Sequence, residues 1–288
     1  RVLVEATEMI GVFDSGYGGL TIFRELIKQF PEHSFVYLGD NARAPYGNKT
    51  PEEITEYTKQ GVDALLKKGC TLVILGCNTA SAVALRELQQ KWLPITWADR
   101  KLLGIVVPTI EQITETTSPI SVGILGTMRT IESHAYKHEI QKRNPNIFVY
   151  EYACIILAGI IETLGSKNTE VVHEAQKSVQ ALLDVAGSGG GTLDAVLLAC
   201  THYELIADSI AAVLPNATKL YHQPSIVAKS LADYLQRHTE IDSQIDKTGK
   251  RIYLTTGNPE EVSQKSTDFI GETIAFELLQ IPTTLVSP

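Results

Sequence analysis

The chain is 288 residues long, 44% hydrophobic and 20% charged, with a formal net charge of −8. That is the profile of an ordinary globular protein with room for two cored domains, and it leaves no global electrostatic footprint for nucleic acid. No apolar run approaches the ~18–20 residues that span a bilayer, no secretory signal opens the sequence, and four cysteines without a CxxC pair make no disulfide framework, so reduced thiols in the cytoplasm are expected.

Met9 directly precedes the first apolar run, and residues 1–8 are expected to be an upstream extension or a remnant of expression outside the fold. Ile10-Gly11-Val12-Phe13 reads as a strand running into the turn Asp14-Ser15-Gly16-Tyr17-Gly18-Gly19, with a helix from about Leu20 to Phe30. That turn lacks the G-x-G-x-x-G spacing of a dinucleotide fingerprint. Phe35–Leu38 is a second strand ending at Gly39-Asp40, followed by a loop through Pro45-Tyr46-Gly47. Thr50-Pro51-Glu52-Glu53 is a helix start with cap, proline and acids in place, and the helix is expected to run to about Lys68.

Leu72–Leu75 is the third strand, with a helix expected from about Ser81 to Gln90, and Trp92–Leu103 is the expected crossing between domains. Ile105–Val107 and Val122–Leu125 read as strands, with helices after Pro108 and from Ile131 to about Arg143; the basic run Lys137–Arg143 is a solvated helix face. Phe148–Ala153 alternates like a strand, and helical patterns cover Ile155–Leu164 and Thr169–Val185. The flexible run Gly187–Gly191 precedes strand Ala195–Ala199. A helix to about Leu214, a short strand Lys219–His222, a helix Ser225–Arg237, a strand Arg251–Thr255 and a helix Val262–Ile270 complete the chain. Strands alternating with helices predict an α/β protein, two similar parallel-sheet α/β domains with the active site in the cleft between them. The expected domains are 9–103 with 221–288, and 104–220.

One phrase occurs twice. Leu72-Val73-Ile74-Leu75-Gly76-Cys77-Asn78-Thr79 is matched by Ala195-Val196-Leu197-Leu198-Ala199-Cys200-Thr201-His202, 123 positions between the cysteines. Each is an apolar run, a small residue, a cysteine and two polar residues. Both cysteines therefore stand where a buried parallel strand ends and a helix begins, the edge at which open α/β sheets bind ligands. A single cysteine in such a place is ordinarily core packing, and Cys70 and Cys154 are read that way. Repetition and polar followers set Cys77 and Cys200 apart. A helix start beside a thiol stabilises its thiolate and can hold a carboxylate. Asn78, Thr79, Thr201 and His202 supply donors and acceptors for a small zwitterion, and Asp14 and Ser15 can receive an ammonium group. Two thiols flanking one carbon suit stereoinversion, one removing a proton and the other delivering one to the opposite face.

In this order and spacing, Phe13-Asp14-Ser15-Gly16-Tyr17-Gly18-Gly19-Leu20-Thr21, Tyr37-Leu38-Gly39-Asp40 through Pro45-Tyr46-Gly47, Cys77-Asn78-Thr79-Ala80-Ser81 and Cys200-Thr201-His202-Tyr203 resemble the glutamate racemases of the aspartate/glutamate racemase family. The resemblance runs from about Ile10 to Ile270. It implies cofactor-independent interconversion of L- and D-glutamate, supplying D-glutamate for peptidoglycan. Cys77 would act on the α-proton of D-glutamate and Cys200 on that of L-glutamate, assisted by Asp14 and His202. Ser15, Asn78, Thr79 and Thr201 would hold the amino-acid head, and Pro45, Tyr46 and Gly47 would contact the substrate, with Thr127 and Thr130 from the second domain. Asp40 and Glu162 are further candidates, Glu162 near the second thiol. No metal is implied, and no lysine sits in a motif for a pyridoxal Schiff base. A homodimer is implied, and regulation by a cell-wall precursor or by DNA gyrase is known among such enzymes.

The sequence departs from the family pattern at Ile155, Ala199, Glu204 and His222-Gln223, with apparent insertions at Trp97–Lys101 and Gly187–Thr192. Rival readings are a cysteine hydrolase using His202 as base, a binding protein for an acidic amino acid, and a racemase or decarboxylase of another acidic substrate on the same fold.

Overall fold

The computed structural model describes residues 8–116 and 121–281. Residues 1–7 of the expected leading extension lie outside them. Glu8 belongs to the fold, because its carboxylate accepts from Thr71 Oγ1 at 2.7 Å and Arg100 Nη1 at 3.1 Å.

Among the described residues ten strands form two sheets, parallel throughout. The first contains β1 (Met9–Asp14), β2 (Phe35–Gly39), β3 (Cys70–Leu75), β4 (Lys101–Gly104), β9 (Arg251–Thr255) and β10 (Glu277–Leu278), in the order β10-β9-β2-β1-β3-β4. The second contains β5 (Ser121–Gly126), β6 (Phe148–Ala153), β7 (Ala195–Ala199) and β8 (Lys219–Tyr221), in the order β6-β5-β7-β8. Every residue of β1, β3, β5 and β7 is buried. Helices cover both faces of such strands, which is why their sequences are continuously apolar instead of alternating.

Register places the chemistry. Asp14 pairs with Gly39, and Phe13 with Leu75, so the residues after β1 and β3 emerge side by side. In the second sheet Gly126 pairs with Ala199, so Thr127 and Cys200 emerge together. The helix Pro51–Lys67 starts with a complete capping box between Thr50 and Glu53. It lies so close to β1 that a Cβ on Gly61 would sit 2.1 Å from Phe13 Cε2.

Several local expectations are corrected. The strand expected at 105–107 is 101–104, and a helix begins at Val106. Leu72 to Leu75 pair with Lys101 to Gly104, and Pro108 fits the first helical turn, where backbone N–H groups have no intrahelical acceptor. The stretch before it is largely regular. Helical turns run from Asn78 to Thr96 with a π-helical turn at Leu88–Trp92, and Trp97 Nε1 donates to Asp63 Oδ1 at 2.9 Å. The helix expected from Ile131 is two, Met128–Glu132 and Ala135–Arg143, broken by His134 in a left-handed conformation (φ 50°). After Cys200 a 3-10 turn, Thr201–Ile206, precedes the short helix Ala207–Ala211. The helix before the glycine run continues to Ser188. Among the described residues no helix is long and apolar enough to cross a membrane.

Candidate active site

At the edge of the first sheet, Cys77 is the N-cap of the helix Asn78–Val83. Its sulfur accepts from Ala80 N at 3.5 Å and lies 3.3 Å from Ser15 Oγ. The helix start therefore supplies a backbone donor, as expected for a strand-to-helix junction. Burial, together with the charge of Asp14, still pushes the Cys77 thiol up to about 12, so near neutrality this sulfur keeps its proton. Asp14 is itself buried. Its Oδ2 accepts from Gly16 N at 2.8 Å, and the backbone of Gly19 also stands against the carboxyl. Burial raises its pKa against the opposing influence of His202.

At the edge of the second sheet, Cys200 Sγ lies 3.7 Å from His202 Nδ1, and His202 Nε2 lies 2.6 Å from Glu162 Oε1. Burial disfavours the charged imidazole, but hydrogen bonds to Cys200 and Glu162 outweigh it and hold the His202 pKa well above the ordinary range. A thiol beside a charged imidazole is a usual source of reactive sulfur. The turn before the first helix packs directly on this segment. A Cβ on Gly18 would fall 2.2 Å from Thr201 Oγ1 and 2.5 Å from His202 Nδ1, so only glycine fits there. The two edges thus face one another. Cys77 feels the charge of Cys200, and Asp14 feels those of His202 and Glu162.

Threonines bridge the two sheets. Thr79 Oγ1 lies 3.0 Å from Thr127 Oγ1 and 3.3 Å from Thr130 Oγ1, and Thr127 caps the helix Met128–Glu132. Pro45, Gly47 and Thr127 line a cavity of about 530 Å³ that reaches Cys154. Tyr46 turns away from that space: it is buried and donates to Asp40 Oδ2 at 2.5 Å. Asp40 also accepts from Arg43 Nε at 2.7 Å and, through Oδ1, from Thr256 Oγ1 at 2.7 Å. Its carboxylate is thus engaged with protein groups, holding the Pro45–Gly47 loop in place.

Sequence reasoning missed three polar residues behind Asn78. All three are buried; Gln223 and Tyr136 bond to its side chain, and Thr109 accepts from Gln223. They come from three separate helices, and only Gln223 carries a local mark, as part of the His222-Gln223 departure. Two departures from the family pattern prove to be one contact: His222 Nδ1 lies 2.7 Å from Glu204 Oε1.

The family model for Asp/Glu/hydantoin racemases matches residues 10–226. A glutamate racemase of Phenylobacterium zucineum is 42% identical over 285 residues, covering 93% of this chain and 99% of the relative. Among solved structures, glutamate racemase isoform RacE1 of Bacillus anthracis superposes with a TM-score of 0.84 at 26% identity, covering 96% of this chain and 98% of that one. The Francisella tularensis glutamate racemase, solved in complex with D-glutamate, gives 0.82 at 28% identity with the same coverage. With its two facing cysteines set on two parallel sheets, the chain belongs to the Asp/Glu/hydantoin racemase family, alongside the glutamate racemases.

Proposed function

We propose that this protein interconverts L- and D-glutamate without a cofactor, by two-base proton transfer at the α-carbon. One observation carries the reading: two cysteines stand at equivalent strand ends of two sheets, each with its own proton-handling neighbours. Cys77 has Asp14 and Ser15, and Cys200 has His202 and Glu162. From L-glutamate, Cys200 removes the α-proton and Cys77 delivers one to the opposite face; from D-glutamate the roles exchange. An amino-acid α-proton is a very poor acid, so the carbanion needs fixed donors and exclusion of water. Both sulfurs are almost fully covered, and Asn78, Thr79 and Thr201 stand at the thiols with buried polar groups. Asp40 acts by holding the loop.

The domains are taken as 9–103 with 221–288, and 104–220, closing over the substrate. The biological role is supply of D-glutamate for peptidoglycan in the cytoplasm, by a homodimer whose regulation by a cell-wall precursor or gyrase is implied by resemblance alone. Incubating each glutamate enantiomer in deuterated water tests the reaction, with aspartate alongside. The expected result is α-deuterium incorporation and optical decay for glutamate. Folded protein that produces neither would overturn the proposal, and equal or faster turnover of aspartate would reassign the substrate.

A further inference from the structure

Behind Cys77 lies a buried hydrogen-bonded chain whose proton order is determined at one end. Thr109 Oγ1 donates to the carbonyl of Ile105 at 2.7 Å, so its oxygen is left to accept from Gln223 Nε2 at 3.1 Å. Tyr136 donates its hydroxyl proton to Asn78 Oδ1, and its oxygen accepts from Gln223 Nε2 at 2.9 Å. Both neighbours therefore demand the NH₂ side of Gln223, which turns Gln223 Oε1 toward Asn78. That oxygen accepts from Asn78 Nδ2 at 2.7 Å. Gln223 Nε2 also lies 3.1 Å from Asn78 Oδ1. Flipping the Asn78 amide would set oxygen against oxygen and NH₂ against NH₂ inside a dry cluster, an arrangement buried polar groups do not tolerate.

Asn78 Oδ1 thus accepts from Tyr136, with a share of one Gln223 Nε2 hydrogen, whereas Nδ2 has one hydrogen left over without a protein partner among the described residues. Gln223 is held from the other side as well. It opens the helix Gln223–Arg237, and His222 just before it is tied to Glu204 on the turn that follows Cys200. Asn78 follows Cys77, while Tyr136 and Thr109 come from helices flanking the second sheet. The cluster therefore joins the two halves of the molecule at the residue next to the first thiol.

We propose that Gln223 is a positioning residue for the reaction: it fixes the amide of Asn78 so that an N–H, not a carbonyl oxygen, is offered to the substrate's carboxylate beside Cys77. This rests on the glutamate-racemase reading, because it assigns an anionic substrate to that N–H. It also gives the His222-Gln223 departure a job, since a residue shorter than glutamine cannot span from Thr109 to Asn78.

The test compares the intact wild-type chain with Gln223→Met, which keeps length and volume but removes both amide functions, and repeats the comparison in an Asn78→Ala background. Wild-type racemisation and α-deuterium exchange are measured first; failure there overturns the glutamate reading and this inference with it. With an active wild type, Gln223→Met should lower kcat/KM by about 10- to 100-fold, the scale of a misplaced binding group. Both directions must fall together, because enantiomers are equal in energy. In the Asn78→Ala background the same substitution should change the rate by less than about twofold, the scatter of independent sites. Full activity of Gln223→Met, or an equal loss in both backgrounds, would overturn the assignment. Should Gln223→Met fail to fold, judged by near-ultraviolet circular dichroism, Tyr136→Phe takes its place, with a smaller loss expected and the same disappearance of that loss without Asn78.

Discussion

Glu162→Gln is the sharpest perturbation of the Cys200 side. The substitution keeps shape and leaves an oxygen able to accept from His202 Nε2, now 2.6 Å from Glu162 Oε1, while removing the charge. The Glu162 side chain is only 19% exposed and that of His202 8%, so solvent screens the pair little. A hydrogen bond to a charged group contributes about 1.5–3 kcal/mol and a neutral one about 0.5–1.5 kcal/mol, so the charged imidazole loses about 1–2 kcal/mol. At ~1.36 kcal/mol per factor of ten, the His202 pKa should fall by about one pH unit, and proton transfer through Cys200 should slow roughly tenfold.

Two measurements check this. An NMR titration of the His202 ring protons gives the first, and racemisation rate against pH the second. The sign of the stability effect follows from linkage. The folded pKa of His202 lies above its unfolded value, so the pair's contribution is complete below the unfolded value of about 6.5 and is lost as pH rises through the folded one. The melting deficit of Glu162→Gln should therefore be largest near pH 6 and shrink toward alkaline pH. An unchanged His202 titration together with an unchanged rate would refute the coupling.

Three further outcomes are expected. Gly18→Ala should reduce turnover by about 100-fold and also lower the melting temperature, because its new Cβ would strike Thr201 Oγ1 and His202 Nδ1 and the packed segments must shift; steady-state kinetics beside a melting curve checks it. Glu204→Gln should lose stability relative to wild type near pH 6 but not at pH 9, because the Glu204 hydrogen bond raises the His222 pKa and that stabilisation disappears as His222 deprotonates. A small alkylating reagent should modify Cys200 before Cys77 in the ligand-free protein: the two sulfurs are equally covered, but burial and Asp14 hold the proton on Cys77, whereas His202 stands beside Cys200; peptide mass mapping that finds Cys77 modified first would contradict this.

The fold was legible where one residue's environment is set by its own strand. Continuous apolar runs mark β1, β3, β5 and β7, and the Thr50 cap marks its helix. Legibility failed where a partner decides. Ile105-Val106-Val107 is as β-prone as a strand, yet β3 selects Lys101–Gly104 by register and leaves Val106 to begin a helix. His134 in a left-handed conformation and the π turn at Leu88–Trp92 have no sequence mark that separates them from ordinary helix. Around the site, the residues touching the sulfurs could be named from the doubled phrase and its resemblance. Gln223 could not, because its importance comes from Thr109 and Tyr136, 114 and 87 positions away.

The two halves of the site differ in kind, and the proposed reaction gives that difference a use. A two-base racemase must begin each turnover with one sulfur protonated and the other not, and neighbours, not substrate, set which is which. Around Cys77 are a buried hydroxyl and a buried carboxyl, with no cation among its hydrogen-bond partners, so the proton stays on sulfur. Around Cys200 an imidazole backed by Glu162 can take a proton. With its proton on Cys77, the site holds the donor that the L-to-D direction of the proposed reaction needs. After that turnover the protons are reversed, Cys77 having given its own to the product. Asp14 lies on this side of the site, a buried carboxyl whose pKa burial raises. On this view Asp14 and the His202–Glu162 pair are not equivalent assistants on two faces. The pair holds charge beside Cys200, while Asp14 is a buried carboxyl beside the sulfur that keeps its proton.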